Sequence, residues 1–201
     1  MSEWWNKGTE IPYFDPNFQK ILDFFLFHCP SEIERRENGN KKYIKVSKRA
    51  TTLREQGWIQ GYLNTLLAAM KHTTSGHLEY SILKTDKNID TETKRIKRNN
   101  TLSDVHFEMI VMTERTDMNK TSAILYYIRN AFAHGSFSTI VDNGRTVYYF
   151  ESKKDNIVKA QIRLQEKTLL KWINDFSLSP KKLKQLLEEE RKQKKKSRRV
   201  A

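Results

Sequence analysis

The sequence predicts a mainly α-helical fold: a bundle of four or five helices with a small β-meander before the last bundle helix. Apolar residues recur at near-helical spacing in several long stretches. Proline and glycine stand at the ends of these stretches, where helices usually stop. Only residues 138–164 have the alternating pattern of strands. We expect one helical domain over residues 1–180 and a basic tail over residues 181–201.

Two helices are predicted in the first part of the chain. An apolar-rich run over residues 18–29 is stopped by Pro30. Residues 31–49 are polar, and Asn38-Gly39-Asn40 marks a turn within them. A long helix is predicted over residues 51–72, because apolar residues recur there at near-helical spacing. These are Leu53, Ile59, Leu63, Leu66, Leu67 and Met70.

The middle of the chain is predicted to be a loop followed by a third helix. Residues 73–100 show little periodicity and carry a cluster of basic side chains. The cluster consists of Lys94, Arg95, Lys97 and Arg98. A helix is predicted over residues 103–115, where Ser103 or Asp104 could accept hydrogen bonds from the first free amides.

A fourth helix is predicted from Lys120 or Thr121 to His134, and Gly135 would end it, as glycine often does. At about 100° per residue, its apolar residues form one face that would pack into the core. They are Ile124, Leu125, Ile128, Ala131 and Phe132. The opposite face carries a polar strip with a small residue at its centre. The strip consists of Tyr126, Arg129, Asn130, Ala133 and His134.

Three strands and a fifth helix are predicted after this helix. Residues 138–142 and 145–151 form a hairpin, because Asn143-Gly144 between them is a strong signal for a two-residue turn. A second turn, a third strand and the fifth helix follow at residues 153–156, 157–164 and 166–176.

The composition excludes several classes of protein. No apolar run reaches the roughly 18 residues that a membrane-spanning helix needs. The N-terminus lacks the charged-then-apolar order of a signal peptide. Cys29 is the only cysteine, so no internal disulfide can form and a cytoplasmic location is expected. Cys29 beside His28 could act as a nucleophile or a metal ligand, but its apolar segment favours core packing.

The charge points to a polyanionic partner. The formal net charge is +13, and residues 181–201 contribute +7, which leaves +6 for the rest of the chain. The tail, which Pro180 opens, is therefore not the only basic region. Nucleic acid is the commonest polyanion that such proteins bind. A tail that only increases solubility is the alternative.

The polar strip on the fourth helix has the residues that RNA cleavage requires. Arg129 offers a permanently charged fork for a phosphate, and His134 can take or give a proton near neutral pH. Asn130, one turn before His134, could bond the imidazole or the phosphate. RNA supplies its own nucleophile, the 2′-hydroxyl, so cleavage needs no metal. A structural reading is also open, in which His134 interacts with the helix dipole and Arg129 and Asn130 are solvated.

The segment Arg129-Asn130-Ala131-Phe132-Ala133-His134 resembles the signature of HEPN domains, in which Arg, a polar residue and a later His lie near the end of a helix. The following Gly135-Ser136-Phe137, the aromatic Tyr148-Tyr149-Phe150 and the run Leu169-Leu170-Lys171-Trp172-Ile173 resemble a bacterial and plasmid-borne subgroup of HEPN nucleases. The resemblance covers about residues 50–178.

The resemblance implies a HEPN-like helical bundle, a homodimer through the motif helix, and metal-independent endoribonuclease activity in toxin–antitoxin or antiphage defence. It implies that Arg129, Asn130 and His134 are catalytic. We also expect RNA contacts from the residues Tyr126, Ser136, Lys94, Arg95, Lys97 and Arg98. Related toxins that a partner silences usually carry Tyr where this chain has Ser136, which leaves that form of control in doubt.

Other functions and sites have weaker support. A catalytically inactive module that binds RNA or a protein partner is the main alternative. His72, His77 and His106 fit no zinc-binding spacing, and no cysteine pair accompanies them. The chain has seven glycines and no phosphate-cradling loop, so we expect no mononucleotide-binding site. We expect neither a metal nor a cofactor.

Overall fold

A computed structural model of the chain describes residues 15–59, 61–99, 107–142 and 144–200. It shows an α/β fold, so the predicted mainly α-helical bundle is wrong. The helices are α1 Pro16–Phe27, α2 Gly61–Lys71, α3 Ile89–Asn99, α4 Lys120–Ala133, α5 Glu166–Ser177 and α6 Pro180–Val200. The strands are β1 Glu32–Glu37, β2 Asn40–Lys45, β3 Leu78–Leu83, β4 Glu108–Thr113, β5 Phe137–Asp142, β6 Arg145–Lys154 and β7 Ile157–Gln165.

The main sheet has five strands in the order β3-β4-β7-β6-β5. Strands β3 and β4 are parallel, and the other neighbours are antiparallel. The predicted hairpin is confirmed: Asp142 pairs with Arg145, and Gly144 has a φ of +71°. Asn143 lies outside the described residues. The predicted meander is thus three of the five strands of the central sheet and not an insertion into a bundle.

The predicted helices α1, α4 and α5 are confirmed, and two of them have side-chain caps. The Phe18 amide donates to Asp15 Oδ1 at 2.8 Å at the start of α1. The Ser122 amide donates to Asn119 Oδ1 at 2.9 Å at the start of α4. Gly135 follows α4 with a φ of +62°, a conformation that glycine adopts without strain.

The predictions over residues 51–115 are largely wrong. Only Gly61–Lys71 of the long second helix is helical, because Gly57 has a φ of +84° in a turn before it. The predicted loop over residues 73–100 contains β3 and α3. Within the predicted helix over residues 103–115, the structure has strand β4 at Glu108–Thr113. Residues 103–106 lie outside the described part.

The sheet is covered by helices on both faces. Helices α1, α2, α4, α5 and α6 pack on one face over a core that includes Tyr148, Phe150 and Ile162. Helix α3 packs on the other face, over Met109 and Val111 of β4. Alternate residues of β4 therefore enter different cores, and all six of its side chains are buried. No helix in the described residues is both long and apolar enough to cross a membrane.

Candidate functional site

One face of α4 lines an open groove of about 860 Å³, which we call the α4 groove. Tyr126, Asn130 and His134 are four residues apart, so they follow one another along this face, and all three line the groove. The remaining walls come from the β3–α3 loop, the end of β4, the β6–β7 turn and β7. Their lining residues include Lys84, Asp86, Lys87, Arg115, Lys153, Lys154 and Lys159.

Arg115 brings a guanidinium to the groove and is held in place by two neighbours. Its Nε donates to Asp117 Oδ1 at 2.8 Å and its Nη2 donates to Asp117 Oδ2 at 2.5 Å. The guanidinium carbon lies 4.2 Å from the centre of the Tyr126 ring. Burial lowers the pKa of Arg115, but hydrogen bonds with Asp117 and Tyr126 outweigh it and raise the pKa above its usual value. Arg115 is therefore a fixed positive charge in the groove.

The Tyr126 hydroxyl links Arg115 to the motif. Burial raises its pKa, but hydrogen bonds with Asn130 and Arg115 and the charge of Arg115 more than reverse this, so the pKa lies below its usual value of 10.0. These interactions, with the stacking of the Arg115 guanidinium on the ring, place Tyr126 between Arg115 and Asn130.

Arg129 is placed differently from the other two motif residues. It is half-buried and does not line the α4 groove, whereas Asn130 and His134 do. Its Nη1 donates to Asn130 Oδ1 at 3.5 Å, and its buried Nε has no hydrogen-bond partner among the described residues. Within one chain, Arg129 reaches the groove only through Asn130.

Cys29 lies in the core, as the apolar segment around it predicted. Burial raises the pKa of its thiol to about 12, and hydrogen bonding to Ser31 and the charge of Arg129 oppose this only in part. The thiol is protonated at neutral pH, so it is a poor nucleophile and a poor metal ligand.

The other predicted RNA contacts lie away from the groove. Ser136 follows α4, where its amide donates to Ala131 O at 2.8 Å, and it is half-buried. The predicted basic cluster lies on α3, which packs on the sheet face opposite α4. It comprises Lys94, Arg95, Lys97 and Arg98. Arg95 forms a two-point ion pair with Glu92.

Sequence reasoning missed Arg115 and the lysines of the groove. They lie far apart in the chain, after β4, in the β3–α3 loop, at the end of β6 and in β7, and only the fold of the sheet brings them together. A local signal existed only for Lys153 and Lys154, because they fall in the predicted turn at 153–156, which the structure narrows to Asp155 and Asn156. Both turn residues have positive φ.

The described residues contain no group of three or more His, Cys, Asp or Glu side chains that could hold a metal ion. His72 and His77 are among the residues searched, and His106 lies outside them. The chain matches no protein-family model, no curated protein and no solved structure. The resemblance to HEPN nucleases therefore stays a prediction, and the helical bundle it implied is not the observed fold.

Proposed function

We propose that the protein is an endoribonuclease that cleaves RNA in the α4 groove by attack of the 2′-hydroxyl, without a metal. The observation that carries this proposal is the alignment of Tyr126, Asn130 and His134 along one groove, beside the fixed guanidinium of Arg115. The groove combines a proton-transfer group with a permanent positive charge, which is what phosphodiester cleavage by an internal nucleophile needs.

His134 carries one of the two proton transfers. The 2′-oxygen attacks phosphorus as its proton passes to a base, the P–O5′ bond breaks, and the leaving 5′-oxygen takes a proton from an acid. His134 is exposed at the end of α4, so a substrate can reach its imidazole. An imidazole can act as the base in one transfer and as the acid in the other.

Arg115 and Asn130 stabilise the phosphate as its charge grows. Because Asp117 occupies Nε and Nη2, the guanidinium cannot swing away, and a preorganised charge costs little reorganisation during the reaction. Asn130 lines the groove one turn from Tyr126, and its Oδ1 accepts a long hydrogen bond of 3.5 Å from Arg129 Nη1. In this account Arg129 is a positioning residue for Asn130.

The proposal includes a two-fold dimer through the end of α4, as the motif implied. Ala133 is exposed in the single chain, and a small residue permits close helix crossing. The change Ala133→Arg should then produce a monomer, because bulk and charge would enter the crossing. Light scattering of the wild-type protein as a monomer at micromolar concentration would contradict the dimer.

The biological setting stays a prediction. Toxin–antitoxin or antiphage defence in the cytoplasm, with an antitoxin or defence protein as partner, comes from the motif alone. None of the contacts in the α4 groove bears on that setting.

The first test is cleavage of total RNA by the purified protein, with magnesium or with EDTA. We expect equal rates in both, because the nucleophile belongs to the RNA. The fragments should end in a 2′,3′-cyclic phosphate and a 5′-hydroxyl. Cleavage that needs magnesium and leaves 5′-phosphates would mean that water attacks, and the roles given to His134 and Arg115 would be wrong.

A second function is favoured by one observation. Because Arg129 does not line the groove, the groove of a single chain lacks the arginine of the motif. The alternative is therefore a module that binds RNA, or a protein partner, without cutting RNA. Tight RNA binding with no cleavage after long incubation, in a protein shown to be dimeric, would establish the alternative.

A further inference from the structure

The α4 groove has a second basic region, formed by Lys84, Lys87, Lys153 and Lys154, which we call the lysine wall. We infer that the lysine wall binds phosphates of nucleotides flanking the cleaved bond, so that the substrate is single-stranded RNA longer than a dinucleotide. The inference rests on the proposed function and adds the substrate class. Two structural features position the lysine wall.

The first feature is a shift in register between β6 and β7, near the turn that joins them. Consecutive side chains of a regular strand point to opposite faces of the sheet. The register of β6 against β7 shifts between Ser152 and Lys153, and both Lys153 and Lys154 line the groove. Bulges commonly re-aim side chains beside functional sites. The extra residue of the bulge is Lys159 of β7, opposite the step from Ser152 to Lys153, so the bulge lies where Lys153, Lys154 and Lys159 all line the groove.

The second feature is an ion pair that connects the β3–α3 loop to β7. Asp86 forms a hydrogen-bonded ion pair with Lys159 of β7. The hydrogen bond and charge of Lys159 hold the pKa of Asp86 below its usual range, against a smaller opposing effect of burial. Lys84 and Lys87 flank Asp86, so the pair holds their backbone beside the groove.

The lysines of the wall are largely available to a ligand. Lys84, Lys87 and Lys154 are exposed and form no ion pair with the described residues. Lys153 contacts Glu151 at 2.7 Å. Across the groove, six basic side chains face three acidic ones. A single scissile phosphate leaves the lysine wall unmatched, and further phosphates of the same strand would match it.

A single strand fits better than a duplex. In an A-form helix the 2′-oxygen does not lie in line with the P–O5′ bond, so 2′-hydroxyl attack needs a strand that can leave helical geometry. Proteins that follow a single strand commonly use a positively charged groove along its backbone. The lysine wall gives the α4 groove that property.

The test measures binding of a labelled twelve-nucleotide 2′-O-methyl oligouridylate, which cannot be cut, at several salt concentrations. The slope of log K against log salt is negative, and each lost phosphate contact should reduce its magnitude by about 0.7. Lys153→Ala/Lys154→Ala should therefore reduce the magnitude of the slope by about 1.4. The charge-matched control Lys20→Ala/Lys48→Ala removes two exposed lysines outside the groove and should leave the slope unchanged.

Cleavage of two substrates completes the test. The Lys153→Ala/Lys154→Ala variant should lose kcat/KM on the twelve-nucleotide RNA but cut the dinucleotide UpU at the wild-type rate. Equal thermal melting would confirm that the variant folds. An unchanged salt slope, or equal losses on both substrates, would overturn the lysine wall. Protein that cuts neither substrate, with the expected change in slope, would overturn the proposed function and leave the wall standing.

Discussion

Two arginines of this protein have similar partners and different surroundings. Arg115 lies 4.2 Å from the Tyr126 ring and pairs with Asp117, and Arg54 lies 3.8 Å from the Tyr43 ring and pairs with Glu32 at 3.1 Å. Both are therefore stacked and fixed by a carboxylate. The two sites differ in the charged residues around each arginine, its aromatic ring and its carboxylate.

Arg115 belongs to the basic α4 groove, whereas Arg54 lines a second cavity of about 590 Å³ beside the β1–β2 hairpin. Three carboxylates line this second cavity against the single basic side chain of Arg54. They belong to Glu32, Glu34 and Asp117. A phosphate is attracted to the groove and repelled from the cavity. The immediate partners of an arginine therefore do not decide its role; the charges around the site do.

The largest effect is expected at His134, which has no counterpart in the second cavity. His134→Ala removes a proton-transfer group and should slow cleavage by roughly 10²–10⁴-fold. His72→Ala, a change of another exposed histidine outside the groove, is the matched control and should cut at the wild-type rate. Single-turnover cleavage measures both. An H134A variant with wild-type activity would remove His134 from the mechanism.

The comparison of the two arginines predicts the next largest effect. Arg115→Lys keeps the charge but loses the planar fork and the stacking, so cleavage should fall roughly 10- to 100-fold, as loss of one or two charged hydrogen bonds implies. Arg54→Lys makes the same chemical change in the acidic cavity and should leave the rate unchanged. Similar losses in both variants would indicate a structural effect and not a role in the groove.

A smaller effect should appear in the pH dependence of stability. Hydrogen bonds and the charge of Arg115 lower the pKa of Asp117 below its usual 3.8, against an opposing effect of burial. A carboxyl group with a lowered folded-state pKa stabilises the fold above its unfolded pKa, and this stabilisation disappears as pH falls through the folded-state pKa.

Asp117→Asn should therefore lower the free energy of unfolding at pH 7, and its difference from wild type should shrink below about pH 4, near the usual carboxyl pKa. Urea denaturation at pH 7, 5 and 3 measures this. Glu37→Gln removes an exposed carboxylate of the hairpin and is the control. A difference that grows as pH falls would contradict the assignment of the ion pair.

The smallest effect on the chemical step should come from the tail. Side chains of residues 191–193 on α6 are exposed, and residues 191–201 add a net charge of +7 far along the chain from the groove residues. Deleting residues 191–201 should weaken RNA binding and flatten its salt dependence. Cleavage at saturating RNA should stay nearly unchanged. Unchanged affinity at low salt would assign the tail to another partner.

The success and failure of the sequence reasoning have identifiable causes. Helix α4 was predictable because its apolar face and the glycine that follows it, Gly135, are both local signals. Strand β4 was not, because both of its faces are buried and a short apolar run has no strand period. Without β4 as a strand, the meander that pairs with it through β7 can be placed only as an insertion.

In the candidate site, too, the local features were predictable and the features that depend on the fold were not. The spacing of Tyr126, Asn130 and His134 along one helix predicted their shared face, and the α4 groove confirms that face. The helical pattern could not reveal that Arg129 lies outside the groove, because the direction of the Arg129 side chain depends on packing against neighbouring elements. Arg115 and the lysine wall were unpredictable for a similar reason, since they meet α4 only through the pairing of β3, β4, β6 and β7.

The most direct test of the central claim uses a twelve-nucleotide DNA strand that contains one ribouridine. The protein is incubated with this strand and with the matching all-DNA strand, both in EDTA, and product masses are measured. The account predicts one cut, 3′ of the ribouridine, with a 2′,3′-cyclic phosphate on one product and a 5′-hydroxyl on the other. The all-DNA strand should stay intact. Cleavage of the all-DNA strand, or products with 5′-phosphates, would show that the 2′-hydroxyl is not the nucleophile.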